Sequence, residues 1–256
     1  MFKIAFCFLT YGDLERCDIW RDYFDMTRCN IYIHSKEKVR NGFFSKFEMS
    51  EEKKVATRTK GGIQIVQAML ALFREALEAD GENEAIIFLS QACLPLVSFD
   101  ELYKIVVGCS GKSVIKRFDK NGVLQNRYGK LGECVRRDMK VFTKQHAQMI
   151  LARKHTVALV KEAVGQWLRG YVGVCCSDEL FFVNSLLMLG FEGEIFDKQI
   201  CFCNPKVDRT QARTWERLGK RDVMGLRGMG FLFVRKVERG CKLWDGMREV
   251  LGLTKN

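Results

Sequence analysis

Lys3-Ile4-Ala5-Phe6-Cys7-Phe8-Leu9-Thr10 is an apolar run closed at once by the polar Tyr11-Gly12-Asp13. Successive side chains of a strand point to opposite faces, so a run without alternation predicts a strand covered on both sides. The run superficially resembles a signal peptide, but it is short and no small-residue cleavage site follows. Working outward, Leu14 to Phe24 reads as a helix with Asp13 as its cap. Asn30 to His34 reads as a second short strand, ending in Ser35-Lys36-Glu37-Lys38. The stretch between Glu37 and Arg58 is charged and has no clear period. From Gly61 to Ala79, Ile63, Val66, Met69, Leu70, Phe73 and Leu77 recur at three- and four-residue steps, the stripe of an amphipathic helix. Ala85-Ile86-Ile87-Phe88-Leu89 then predicts a central parallel strand. Strands alternating with helices over the first 110 residues predict βαβ units in a layered α/β sheet.

Further on, Val114 to Phe118 reads as a strand, and Asn121-Gly122 and Tyr128-Gly129 as turns. Thr143 to Arg153 and Val157 to Leu168 read as helices. Ser177 to Leu189 reads as another, with Ser177 as N-cap and Asp178 and Glu179 in its first turn. Gly230 to Lys236 reads as a late strand ending in two cations. There is no internal repeat, low-complexity tract or linker, so the expectation is a single α/β domain over 1–256. Its sheet is mixed, mostly parallel and flanked by helices.

The 256 residues are 47% hydrophobic and 29% charged, too apolar for a disordered chain. No apolar run approaches the ~18–20 residues that span a bilayer. Lys and Arg number 42 against 31 Asp and Glu, a formal charge of +11, which favours an anionic partner such as nucleic acid, phosphate or a sugar nucleotide. Eleven cysteines is a high and odd count, unlike the even set of a short stapled domain. Reduced thiols and a cytoplasmic location are expected. Cys175-Cys176 and Cys201-Phe202-Cys203 lack the two-residue gap of a zinc-binding pair, so buried free thiols are the better reading.

In an open α/β sheet, ligands bind beyond the carboxyl ends of the strands. Those ends offer Thr10, Tyr11 and Gly12, then His34, Ser35 and Lys36, then Ser90, Gln91 and Cys93. No Gly-x-Gly-x-x-Gly follows the first strand, and no Gly-x-x-x-x-Gly-Lys-Ser/Thr loop occurs anywhere. After the central strand comes Ser90-Gln91-Ala92-Cys93, where many nucleotide-sugar transferases carry Asp-x-Asp for a divalent ion. A hard cation finds no oxygen ligands here. A bound diphosphate therefore needs side-chain cations, and Arg235 and Lys236 lead the candidates.

The stretches Ile4–Thr10, Trp20, Ile31–Ser35, Phe88–Leu96 with Ser98-Phe99-Asp100 and Tyr103, Cys176–Glu179, and Phe231–Lys236 follow one another in a familiar order. They resemble the core-2/I-branching N-acetylglucosaminyltransferase family, above all its plant-type branch, over roughly residues 2–107 and 174–238. The resemblance implies a GT-A-like fold, with a nucleotide-binding part near 1–107 and an acceptor and catalytic part near 108–256. It also implies inverting transfer from a UDP-sugar to a glycan acceptor, with no metal cofactor. On it, Glu179 matches the catalytic base, and Lys236 with Arg235 matches the cationic pair on the diphosphate. Thr10, Tyr11, His34, Ser35, Arg58 and Gly61 fall to the nucleotide and donor pocket, and Ser90, Gln91, Cys93 and Asp178 to the acceptor or sugar pocket. There are departures. Lys60 or Thr59 replaces the family's tryptophan before the helix at Gly61, and Arg137–Phe142 departs from the Lys-Gly/Ser-Ser-x-x-Phe segment. A second upstream cation is Arg213, Arg217 or Arg221. No N-terminal anchor of the kind that Golgi members carry is expected.

Each candidate also has a plain structural reading. Glu179 offsets the helix dipole if it is no base, worth roughly 0.3–1 kcal/mol. Asp178 is a supporting acid or cap. His34 meets the nucleotide or only hydrogen-bonds within the sheet, while His146 and His155 read as surface or packing residues. Asp119 and Asp138 orient an acceptor or are loop charges, and Phe43, Phe44 and Phe47 read as packing. The rival function is a basic nucleic-acid-binding protein, but no helix-turn-helix, zinc finger or RNP-like motif occurs and the cations are dispersed, so no nucleic-acid partner is expected. A third is a degenerate transferase fold that only recognises glycans.

Overall fold

The computed structural model describes residues 1–57, 62–118, 122–204 and 213–253. Strands β1 (Lys3–Thr10), β2 (Cys29–Ser35) and β3 (Asn83–Ser90) run parallel, with β1 in the middle. Helices α1 (Cys17–Tyr23) and α2 (Ile63–Ala79) connect them. The sheet grows from β3 through two antiparallel pairings, because the segment read as a helix over Thr143–Arg153 is extended. After β4 (Leu94–Pro95), α3 (Phe99–Gly108), β5 (Ser113–Val114), β6 (Arg117–Phe118), α4 (Gly122–Gly129) and α5 (Glu133–Asp138), it forms β7 (Lys144–Gln145) and β8 (Met149–Ala152). β8 lies antiparallel between β3 and β5. With β9 (Ile195–Phe196) pairing parallel to β5, the six strands are ordered β2-β1-β3-β8-β5-β9. The turn expected at Tyr128-Gly129 is the end of α4, and the strand expected over Val114–Phe118 splits into β5 and β6. Val157–Leu168 likewise divides between α6 (Arg153–Leu159) and α7 (Glu162–Arg169).

Two apolar cores lie on the two faces of this sheet. Ile4, Phe6 and Phe8 of β1 join one with Trp20, Leu102 and Phe233; Ala5 and Cys7 join the other with Phe73, Met149 and Phe182. That division is the period-two geometry expected of the opening run. Trp20 is fully buried and donates from Nε1 to the carbonyl of Cys93 at 3.0 Å, pinning α1 to the segment that leaves β3. Trp20→Phe orphans that carbonyl, and urea denaturation is expected to read a loss of about 1–3 kcal/mol. Asp13 does not cap α1. It accepts from the backbone N–H groups of Arg40 and Asn41 at 2.8 and 2.9 Å, tying down the loop beyond β2. Of the surface and packing readings, His155 takes packing: it is fully buried, with Nδ1 2.7 Å from Ser113 Oγ and Nε2 3.1 Å from Glu194.

The C-terminal third adds a second, three-stranded sheet. β10 (Cys201–Cys203) is parallel and β4 antiparallel to β12 (Phe233–Arg235), which sits between them. β12 is shorter than the strand expected over Gly230–Lys236. Pro95 is tolerated because β4 is an edge strand. β11 (Trp215–Leu218) and β13 (Val237–Leu243) form a separate pair.

Candidate active site at the carboxyl edge of the sheet

The register aligns Thr10 with Ser35 and Leu9 with Ser90, so the three parallel strands end at one edge. Several expected pocket residues there serve the fold. His34 is buried and accepts at Nε2 from the N–H of Val55 at 2.9 Å, and burial lowers its pKa. Ser35 donates to the Glu48 carboxylate, which also pairs with Lys54 at 2.6 Å. Gln91 is a strap: its Oε1 accepts from the N–H of Tyr11 at 2.5 Å, and its Nε2 donates to Glu15 at 2.9 Å. The Tyr11 ring stays half exposed, with the Lys36 ammonium 5.2 Å from its centroid. Arg58 and Gly61, like Thr59, Lys60 and Asp119, lie outside the described residues. Asp138 accepts from Trp167 Nε1 at 3.1 Å and so braces α5 against α7.

The chain turns at Ser90–Cys93 directly from β3 into β4, and β12 is stitched onto that turn. The N–H of Leu96 donates to the carbonyl of Leu232 and that of Val237 to Ala92, both at 2.8 Å. Arg235 and Lys236 are thereby delivered to the end of β3. The Arg235 guanidinium lies in the field of Cys93, Cys203 and Cys201; burial opposes its charge but the sulfurs outweigh it and raise its pKa. Cys93 Sγ sits 3.3 Å from Ser90 Oγ. Burial works against the Cys93 thiolate, but the Cys201 thiol, Arg235 and Ser90 prevail and lower its pKa. Lys236 is half-buried and makes no ion pair among the described residues. Two of the three upstream arginines lie on a segment bonded to the pair. Trp215, two residues from both Arg213 and Arg217, donates its N–H to the carbonyl of Lys236 at 2.9 Å. The N–H of Arg213 donates to Asn204 at 2.7 Å, and the N–H of Asn204 donates to the carbonyl of Arg235 at 3.3 Å.

Glu179 arrives from the other side. Ser177 is not an N-cap: its hydroxyl donates to the carbonyl of Val174 at 2.8 Å, and Ser177–Glu179 is a 3-10 turn ahead of α8 (Phe181–Met188). Cys176 supports the turn in the left-handed region, φ 55°, which costs a non-glycine residue about 1–3 kcal/mol. Two buried amides dock α8 on β7. Gln145 accepts from the N–H of Val183 at 2.6 Å, and Asn184 accepts from the N–H of Thr143 at 3.0 Å while donating to its carbonyl at 2.8 Å. The docking sets Lys144 Nζ 3.0 Å and an Arg127 amine 3.3 Å from the same Glu179 oxygen, Oε2.

Asp178, beside it, has a sealed Oδ1 with no partner among the described residues. Burial, then the charge of Glu179, raises its pKa from 3.8 to about 6 against the pull of Arg235 and Lys144. The native state therefore holds a proton that the unfolded chain releases between those values. Its stabilising effect is full below 3.8 and is lost as pH rises through 6, by about 2–3 kcal/mol. Asp178→Asn escapes that loss. Denaturation at pH 4 and pH 7.5 is expected to show the variant gaining on the wild type by that amount at the higher pH.

Thr10 Oγ1, His34 Nδ1, Asp178 Oδ1, Arg235 Nε and His146 Nδ1 are all buried without a partner among the described residues. Of these, Thr10 and His34 stand at the ends of β1 and β2, Arg235 ends β12, and Asp178 lies in the field of Arg235. The edge thus joins a carboxylate turn, two adjacent cations and unspent hydrogen-bonding groups. Among the described residues no set of three His, Cys, Asp or Glu side chains converges as a metal ion requires. Sequence reasoning missed Arg127, Lys144 and His146. The run of four apolar residues Met149-Ile150-Leu151-Ala152 is the signal for a buried strand that restores the last two to this edge.

The family model for core-2/I-branching enzymes matches residues 4–223. No curated protein matches the chain. Among solved structures, the crystal structure of mouse xyloside xylosyltransferase 1, apo form, aligns with 78% of this chain and 88% of that one, at 10% identity and a TM-score of 0.42.

Proposed function

Because this chain belongs to the core-2/I-branching enzyme family and is a glycosyltransferase, we propose that it moves a sugar from a UDP-sugar to a carbohydrate hydroxyl with inversion, on a GT-A-like fold and without a metal ion. One observation carries the reading: Asp178, next to Glu179 in the chain, lies in the field of Arg235, and the Arg235-Lys236 segment is bonded to the turn that leaves β3 at the carboxyl edge of the sheet. That is where α/β sheets bind ligands.

Glu179 is the base. Arg127 and Lys144 orient its carboxylate while it takes the acceptor proton, and the acceptor oxygen attacks the anomeric carbon from the face opposite UDP. The bond to UDP breaks as the new one forms, and the departing diphosphate carries the electron pair away. Arg235 and Lys236, with Arg213 or Arg217 as a third cation, meet that growing charge. Fixed cations favour the transition state over the ground state because the charge is still developing. Asp178 supports the turn behind Glu179. The eleven free thiols accord with a reducing compartment such as the cytoplasm.

The test is UDP release from a panel of UDP-sugars with mixed glycan acceptors, with and without EDTA. Acceptor-dependent release that survives the chelator is expected. Release abolished by EDTA and restored by manganese overturns the side-chain cation scheme. UDP binding without turnover on any acceptor points instead to a glycan-binding descendant of the fold.

A further inference from the structure

Cys175 and Cys176 are neighbours in sequence and their sulfurs are in contact, Sγ to Sγ 3.3 Å. Adjacent side chains diverge on a strand or a helix, so consecutive sulfurs are ordinarily kept apart. Here Cys176 leaves both geometries, with φ 55° and ψ 48°, and its sulfur meets that of its neighbour. Cys175 is exposed and Cys176 half-buried, so this pair is not the set of buried thiols that its sequence suggests. Directly after it comes the turn that carries Glu179. The N–H of Glu179 donates to the carbonyl of Cys176 at 3.0 Å, and that of Leu180 to the carbonyl of Ser177 at 3.1 Å. No step of sugar transfer uses either sulfur.

We propose that Cys175 and Cys176 form a redox-sensitive dithiol, which closes to a vicinal disulfide and loosens the turn that presents Glu179. An effect on sugar transfer rests on Glu179 being the base; ring closure does not. Consecutive Cα atoms are about 3.8 Å apart across a trans peptide, below the ~4.4–6.8 Å that disulfides usually span. The closed ring therefore pulls on the backbone of Cys176, whose carbonyl holds the Glu179 amide, and it is readily reduced again. Exposed Cys175 attacks first, because burial, the Cys175 hydrogen bond and the charge of Glu179 push the Cys176 pKa up to about 12. Its thiolate attacks one sulfur of a low-molecular-weight disulfide such as oxidised glutathione. That S–S bond breaks, and the first glutathione leaves with the electron pair and takes a proton. Cys176 then gives its proton to solvent, attacks the Cys175 sulfur and expels the second glutathione in the same way. The protein loses two electrons and two protons, and the glutathione disulfide is reduced to two thiols.

The intact chain is equilibrated in glutathione buffers from fully reduced to fully oxidised, quenched with acid, alkylated and digested with trypsin. The peptide 170–198 holds Cys175 and Cys176 and no other cysteine. Mass spectrometry is expected to find it two hydrogens lighter, with both thiols lost to alkylation together and no glutathione retained. Exposed Cys134, the reference for a single thiol, is expected to keep glutathione instead. Dithiothreitol is expected to restore both thiols. In the oxidised form, hydrogen–deuterium exchange at the amides of Glu179 and Leu180 is expected to quicken about 10-fold. UDP release is expected to slow about 10²-fold, the scale on which a misplaced reacting group costs rate. Cys175→Ser, which cannot close the ring, is expected to make both readouts insensitive to glutathione. Glutathione retained on Cys175 with Cys176 still open to alkylation, or no oxidation at all, overturns the proposal. So does a closed ring that leaves exchange, or a measurable UDP release, unchanged. Absence of UDP release from the reduced protein counts against sugar transfer and not against the switch, which peptide mass and exchange still decide.

Discussion

Glu179→Gln is expected to slow sugar transfer by about 10²–10⁴-fold while leaving UDP affinity within a few-fold of the wild type. The amide keeps the shape of the side chain and an oxygen for Lys144 and Arg127, which approach Glu179 at 3.0 and 3.3 Å. It cannot take a proton from an attacking hydroxyl. Initial rates of UDP release, with UDP affinity measured separately by calorimetry, divide the two roles. A parallel collapse of UDP binding places the carboxylate on the donor and removes it from the base role. Undiminished release moves the base elsewhere, with Asp178 the next residue to change because its raised pKa, about 6, lies closer to the working pH of a general base.

Lys236→Met is expected to cost about 10²–10³-fold in kcat, the scale of losing one fixed charge-stabilising group at a reacting centre. Lys236 is the cleaner probe of the pair. It makes no ion pair among the described residues, whereas Arg235 is hemmed in by three sulfurs and its removal also disturbs their packing. A fall in kcat is the informative outcome, because the leaving diphosphate gains charge only as the bond breaks. A rise in KM with kcat unchanged shows a contact made equally in the ground state, and withdraws Lys236 from transition-state stabilisation.

The parallel half of the sheet was legible because its signals are local. β1 and β3 announce themselves as short apolar runs, and α2 as a stripe at three- and four-residue steps. The later strands were harder to read. β8 has four residues, and flanking polar residues let the whole of Thr143–Arg153 pass for a helix. Only pairing with β3 and β5 makes it extended, because its backbone groups are satisfied across the sheet rather than along the chain. Ser177 carried a capping signature that the structure does not use. Its hydroxyl turns back to the carbonyl of Val174, so local propensity gave way to the turn that presents Glu179.

The candidate site divides in the same way. Glu179, Arg235 and Lys236 were named from motifs, since residue type and order persist in a linear string. His34, Ser35 and Gln91 were named too, but whether each faces a ligand or braces the fold depends on partners such as Val55, Glu48 and Glu15, which no spacing rule identifies. Arg127 and Lys144 beside Glu179, and the sulfurs of Cys93, Cys201 and Cys203 acting on Arg235, were invisible for the same reason.

By itself, then, the order of residues determined the α/β class, the parallel opening of the sheet and the family, because periodicity and motif are properties of neighbours along a chain. Tertiary structure alone decided which carboxylate is sealed from water, which cations flank Glu179 and which sulfur solvent can reach. Burial and charge act through space over a few ångströms, and that distance is created only when segments remote in sequence pack together.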